Sequence, residues 1–133
     1  MAILLVPTDQ PTIQDAFDNS GDGDTIMVEA GYVGNETATL SFNNITIDIA
    51  SSVPGIAINL ISGATNLTLT GSGDADVTGD SANNVIDGNS GDNTFISSLG
   101  ADTYTGGSGT DEVDYTGSNA GVTVYFDGVT AGS

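Results

Sequence analysis

Residues 71–113 read, in blocks of nine, GSGDADVTG (71–79), DSANNVIDG (80–88), NSGDNTFIS (89–97), SLGADTYTG (98–106) and GSGTDEV (107–113). One large apolar residue recurs at a spacing of nine: Val77, Ile86, Phe95, Tyr104 and Val113, with Val122 as a sixth step. Gly, Ser, Asn and Asp fill the gaps. A short period held this strictly is the mark of a solenoid. The turns between rungs are too polar to form a core, yet they are rich in the hard oxygen atoms that calcium prefers.

Upstream the period is eleven. Ile45, Ile56 and Leu67 are eleven apart, as are Ile47, Ile58 and Leu69, and Ile49 and Leu60 follow suit. Apolar and polar residues alternate within Ile45-Thr46-Ile47-Asp48-Ile49 and Leu67-Thr68-Leu69-Thr70, which predicts strands with one buried face. Ser51 to Gly55 and Ser62 to Asn66 are the turns between. Ala2 to Val6, Thr25 to Ala30 and Thr39 to Phe42 read as further strands, with a turn at Gly21-Asp22-Gly23-Asp24. Thr12 followed by Asp15 fits a capping box, and Ile13, Ala16 and Phe17 have helical spacing. A short helix over 12–18 is therefore predicted, read as a plug over the open end of the solenoid. The expected fold class is all-β, a parallel β-helix or β-roll with a short N-terminal capping helix. No linker separates the halves. Residues 1–133 read as one continuous solenoid, with wider rungs over 1–70 and a tighter roll over 71–133.

The chain carries 18 acidic residues and no Lys, Arg or His, a formal net charge of -18. Ordinary side-chain salt bridges are excluded. Carboxylates stacked at the strand spacing of about 4.8 Å repel by roughly 1 kcal/mol in water and by more at lower dielectric. Repeated up a stack, that opposes folding unless cations intervene. Nucleic acid and anionic membranes are excluded as partners, because both need basic residues. Acidity alone would suggest disorder, but apolar residues reach 38% and are strongly patterned. There is no Cys, hence no disulfide or thiol chemistry. No apolar run approaches a membrane span. Met1 to Val6 is apolar but lacks the basic start of a signal peptide.

Two resemblances follow from these residues. Thr12-Ile13-Gln14-Asp15-Ala16, Gly21 to Val28 and Gly31-Tyr32 make residues 4–70 similar to the start of a right-handed parallel β-helix of the pectin-lyase-like class. That resemblance implies fold far more than activity. Gly106-Gly107-Ser108-Gly109-Thr110-Asp111-Glu112-Val113 matches the pattern G-G-x-G-x-D-x-U-x, where U is a large apolar residue. Gly88 to Phe95 matches with Asn in place of two family residues. Ser97 to Tyr104 keeps one glycine and the Asp, Gly79 to Ile86 is weaker, and Gly71 to Val77 shifts its Asp by one place. The second half thus resembles the calcium-binding nonapeptide repeats of RTX proteins. Asp114 to Val124 resembles the segment that often follows such repeats, which implies further chain beyond it in the family.

The RTX resemblance implies a β-roll in which two nonapeptides make one coil. Ile86, Tyr104 and Val122 are then expected on one inner face, and Val77, Phe95 and Val113 on the other. Gly88 to Asn93 should stack beside Gly106 to Asp111, and Gly79 to Asn84 beside Ser97 to Asp102. Calcium takes about six to eight oxygens, more than one turn supplies, so two stacked turns must share an ion. Gly88, Gly106 and Gly109 let carbonyls converge. Asp92, Asn93 and Asp111 form the first expected metal site, with Asp74 and Asp76 extending it. Asp80, Asn84 and Asp102 form the second edge. Ca2+ is the implied cofactor.

Three function classes are open to such a chain. Pectin-lyase-like enzymes commonly use Arg, Lys or His, all absent here, so the chain is read as not an enzyme. A non-catalytic carbohydrate-binding or scaffold part of a larger polysaccharide-active enzyme is one alternative, with neutral glycans as ligands. The preferred reading is a calcium-stabilised structural element of a secreted or cell-surface bacterial protein, such as an adhesin, surface layer or extracellular filament subunit. Nothing obvious caps the roll after Phe126-Asp127-Gly128, so that end is open either to continuation into further chain or to head-to-tail stacking on a second copy.

Overall fold

The computed structural model describes residues 1–61 and 64–125. The open end read at Phe126-Asp127-Gly128 and the turn residues Ser62 and Gly63 lie outside the described residues. Twelve strands alternate between two parallel sheets: β1 (Ile3–Val6), β2 (Thr25–Val28), β3 (Thr37–Leu40), β4 (Ile45–Ile49), β5 (Ile56–Leu60), β6 (Asn66–Gly71), β7 (Ala75–Thr78), β8 (Val85–Asp87), β9 (Asn93–Ile96), β10 (Thr103–Thr105), β11 (Glu112–Asp114) and β12 (Thr123–Tyr125). One sheet runs β1-β2-β4-β6-β8-β10-β12 and the other β11-β9-β7-β5-β3. The chain is an all-β parallel solenoid of about six turns.

The strands form where β-branched residues alternate with polar ones, because the branched side chains fill the pleated inner face. The burial pattern of β4 and β5 is strictly alternating, with Ile45, Ile47, Ile49, Ile56, Ile58 and Leu60 buried. Ladders of inward side chains run up both sheets. In one, Leu4, Ile26, Ile47 and Leu69 are in register, as are Ile45, Leu67, Ile86 and Tyr104. In the other, Ala38, Ile58, Val77, Phe95 and Val113 align. The eleven-residue steps therefore alternate between sheets. Ile45 pairs with Leu67, 22 positions on, whereas Ile86 pairs with Tyr104, 18 positions on. The coil narrows by four residues along its length. Across the narrowed core the Phe95 and Tyr104 rings stack, centroids 5.3 Å apart.

The ladder departs from expectation at its last step. Tyr104 pairs with Val124, not Val122. The segment between β11 and β12 is two residues longer than a nonapeptide spacing allows. Val122 stays half-buried against the core, outside the strand. The strand ends also differ. The strand predicted at Thr39 to Phe42 lies at Thr37–Leu40, and the one beginning at Thr25 stops at Val28.

The N-terminal end of the stack is closed. Helix α1 (Ile13–Asp18) buries Ile13, Ala16 and Phe17 against the first coil, as the plug reading expects. Its cap is Thr12, whose Oγ1 accepts from the Asp15 N–H at 3.0 Å and donates to Asp15 Oδ2 at 2.6 Å. Gln14 reaches the free edge of β3 as an extra strand would. Its Oε1 accepts from the Thr39 N–H at 2.8 Å, and its Nε2 donates to the Thr39 carbonyl at 3.2 Å. The free edge of β1 is closed by its own turn, where the N–H groups of Asp9 and Gln10 donate to the Leu5 carbonyl and the Leu5 N–H to Asp9 Oδ2. Both first strands thus have central outward groups satisfied, which blunts the edge-pairing hazard.

Ile47 is fully buried between Ile26 and Leu69. Ile47→Ala should lower unfolding free energy by about 2–5 kcal/mol in chemical denaturation. A loss below about 1 kcal/mol would contradict the ladder as the core.

Candidate metal centre

The roll's turns stack at a spacing of eighteen residues, stitched by side-chain oxygens of one turn and backbone N–H groups of the next. Asp74 Oδ1 accepts from the Asp92 N–H at 2.9 Å, and Asp92 Oδ1 from the Thr110 N–H at 2.7 Å. In the opposite direction, Asp111 Oδ1 accepts from the Asn93 N–H at 3.0 Å. The same exchange occurs on the other edge. Asn83 Oδ1 accepts from the Ala101 N–H at 2.8 Å, and Asp102 Oδ1 from the Asn84 N–H at 3.0 Å. Every pair differs by 18, so two nonapeptides make one coil.

The first edge brings together the turns at 71–76, 88–93 and 106–111. Backbones pass so closely that side chains do not fit between them. A Cβ on Gly88 would strike the Gly106 carbonyl, one on Gly107 the Asn89 carbonyl, and one on Gly109 the Gly91 carbonyl. Gly107 and Gly109 also hold positive φ, 91° and 105°, which only glycine adopts cheaply. Asn93 lies at the heart of this edge, 1% exposed. It continues an inward row that starts with Ile56 and Ala75. Its Nδ2 donates to Gly91 O at 2.8 Å, to Asn89 Oδ1 at 3.1 Å and to Asp111 Oδ1 at 3.1 Å. Its Oδ1 is buried with no hydrogen-bond partner among the described residues. Asp74, Asp92 and Asp111 place three carboxylates along this edge.

The second edge joins the turns at 79–84 and 97–102, and it is built differently. Asp102 is 1% exposed. Its Oδ2 accepts from Ser97 Oγ at 2.7 Å and from Tyr104 Oη at 3.2 Å. Burial pushes the Tyr104 hydroxyl up to about 12; Ser97 opposes that shift and the Asp102 carboxylate adds to it. The phenol therefore keeps its proton at neutral pH and donates. Asn84, fully buried, donates from Nδ2 to Ala64 O and Asp80 Oδ1, and its Oδ1 accepts from the Asp80 N–H. Ser98 Oγ donates to the Asp80 carbonyl.

Residues 78–113 match the family model for the RTX calcium-binding nonapeptide repeat, in four copies. This segment is an RTX repeat array. The chain matches no curated protein and no solved structure. The turn at 71–77, read above as a fifth repeat with a displaced Asp, precedes the match.

The RTX array fits calcium on the first edge. Oxygens of Asn89, Gly91 and Asp111 all accept from Asn93 Nδ2, and Asn93 Oδ1 is buried beside them without a donor. An unsatisfied buried acceptor costs about 1–3 kcal/mol. A cation held by these oxygens and neighbouring carbonyls would satisfy the acceptor and offset the carboxylate repulsion. Calcium bound there would neutralise charge and cross-link stacked turns. No group of three acidic side chains clusters among the described residues. A cation there would be held by amide and carbonyl oxygens around one or two carboxylates, as hard-oxygen coordination permits.

Most of the residues read from sequence as ligands sit where the repeat pattern puts them. Asp74, Gly88, Asp92, Asn93, Gly106, Gly109 and Asp111 share the first edge; Asp80, Asn84 and Asp102 share the second. Asp76 does not join either, because it points outward from β7 and is exposed. In its place inside the turn is Ala75, buried. Sequence reasoning missed Asn89, whose Nδ2 ties Thr70 O and Gly73 O of the preceding coil and whose Oδ1 faces Asn93. It also missed the Ser97 and Tyr104 hydroxyls on Asp102, which an apolar-ladder reading of Tyr104 does not reveal.

A Cβ at Gly91 would lie 2.6 Å from Gly73 O and 2.9 Å from Asp74 Oδ1. Gly91→Ala should destabilise by roughly 1–3 kcal/mol in chemical denaturation. At Gly121, where a Cβ meets nothing within 4 Å, alanine should change stability by less than about 0.5 kcal/mol. Equal effects would contradict the close stacking of turns.

Proposed function

We propose that this chain is one continuous calcium-stabilised structural solenoid, residues 1–133, belonging to a secreted or cell-surface bacterial protein. The observation carrying this reading is the buried, partnerless Asn93 Oδ1 beside the carboxylate of Asp111, in a segment that is an RTX repeat array. RTX repeats are typical of secreted bacterial proteins and are typically structural and non-catalytic. Among the described residues no helix is long and apolar enough to cross a membrane. A role in adhesion, a surface layer or a filament fits a rigid acidic rod held by calcium.

The closed N-terminal end bears on how such a rod assembles. A head-to-tail fibre would need β1 and β3 to accept new strands, yet the Pro7 to Gln10 turn and Gln14 already occupy their central edge groups. Self-assembly into a filament would therefore use surfaces other than the β1 and β3 edges.

Calcium should raise the midpoint of thermal unfolding and EDTA should lower it. At about 100 times the dissociation constant, each site adds about 2.7 kcal/mol. Asp111→Ala should weaken calcium affinity in calorimetric titration more than Asp48→Ala, since Asp48 lies on the outer face of β4. Identical melting in EDTA and calcium, or equal effects of the two substitutions, would contradict the reading.

A further inference from the structure

We propose that calcium loads only one edge of the roll, and that the opposite edge is a metal-free clasp closed on Asp102 by hydroxyl groups. This rests on the calcium reading above and refines it.

Asp102 and Asp111 occupy the same place in successive nonapeptides, nine residues apart. Each uses Oδ1 in the same way, accepting the backbone N–H of the residue eighteen positions before it. Their Oδ2 atoms differ. Asp102 Oδ2 holds two hydroxyl donors, Ser97 and Tyr104. Asp111 Oδ2 lies against Gly106 instead, where a Cβ would come within 2.6 Å of it. The repeat position filled by Gly106 on the calcium edge is filled by Ser97 on the other, and the apolar-ladder position of Val113 is filled by Tyr104. Two substitutions in the repeat thus bring donors to a carboxylate that would otherwise need a cation. Hydrogen bonds to an ionised group are about twice as strong as neutral ones, and two hydroxyls and one amide leave both oxygens of Asp102 hydrogen-bonded without metal.

The asparagines one coil earlier show the same contrast. Asn84 has both amide atoms satisfied, by Asp80 and Ala64. Asn93 leaves its Oδ1 buried and unpaired. Charge follows the pattern. The calcium edge stacks Asp74, Asp92 and Asp111, each spaced one coil from the next or offset by one residue. The clasp edge carries Asp80 and Asp102, and Asn83 stands at the repeat position that Asp74 and Asp92 fill on the calcium edge. The orphaned acceptor and the bare carboxylate oxygen lie together on one edge only.

The two edges are separable by calorimetric calcium titration and calcium-free thermal unfolding of the full chain. Asp111→Asn should weaken calcium affinity by about tenfold, because the site loses its charge. Asp102→Asn should leave calcium affinity within about twofold and lower the calcium-free midpoint, because the clasp loses its acceptor. Ser97→Ala, a milder change that keeps the fold if Asp102→Asn does not, should do the same. Loss of calcium affinity in Asp102→Asn or Ser97→Ala matching that in Asp111→Asn would overturn the one-edged assignment. Unchanged calcium-free midpoints in both clasp variants would overturn the clasp. Absence of calcium binding by the unmodified chain would instead overturn the calcium reading, and the one-edged assignment with it.

Discussion

Stacked carboxylates in a chain with no cationic side chain are the constraint on which the rest of this structure depends. A parallel solenoid places equivalent turn residues one strand spacing apart, so acidic turn residues approach one another up the stack, as Asp74 and Asp92 do one coil apart. With 18 acidic residues and no Lys, Arg or His, the repulsion has no side-chain remedy. Three devices reduce it. Backbone N–H groups of adjacent coils donate to Asp74, Asp92, Asp102 and Asp111. Asparagine replaces aspartate at Asn84 and Asn93, keeping the shape and removing the charge. Calcium, the ion that RTX repeats bind, is the third device in the proposed reading, supplying positive charge at the first edge.

The apolar core sets where these devices must act. Its ladders fix the coil register, and the narrowing from 22 to 18 residues per coil brings the turns of the roll into direct contact. Glycines at 88, 91, 107 and 109 are the consequence, since any side chain there would strike the neighbouring backbone. The wide coils share this close approach only where they meet the roll, where a Cβ on Gly71 or Gly73 would strike the Ile49 or Ala50 carbonyl. They are held by their Ile and Leu ladders and by asparagine contacts such as Asn43 Oδ1, which accepts from Thr65 Oγ1 and the Asn66 N–H.

Much of this was legible in the sequence because a strand's side-chain period is two and the repeat period is constant. Val77, Phe95 and Val113 on one face, and Ile86 and Tyr104 on the other, followed once the RTX resemblance set two nonapeptides to a coil. The error at Val122 has a physical reason. A slip of two residues keeps the same face inward, and Val122 and Val124 are both apolar, so periodicity cannot choose between them. Alternation places Asp76 outside, beside inward Val77, apart from the turn edge that Asp74 joins. The polar networks were not legible. Gln14 with Thr39, Glu36 with the buried Tyr32 hydroxyl and the Ile13 N–H, and Ser97 with Asp102 and Tyr104 depend on where coils and loops meet in space.

The central claim is that calcium neutralises the carboxylate edge containing Asn93 and Asp111. Anomalous X-ray scattering from crystals grown in calcium tests it most directly. The account predicts anomalous density within coordination distance of oxygens from the 88–93 and 106–111 turns, and none beside Asp102. Density beside Asp102, or none between those two turns, would contradict it.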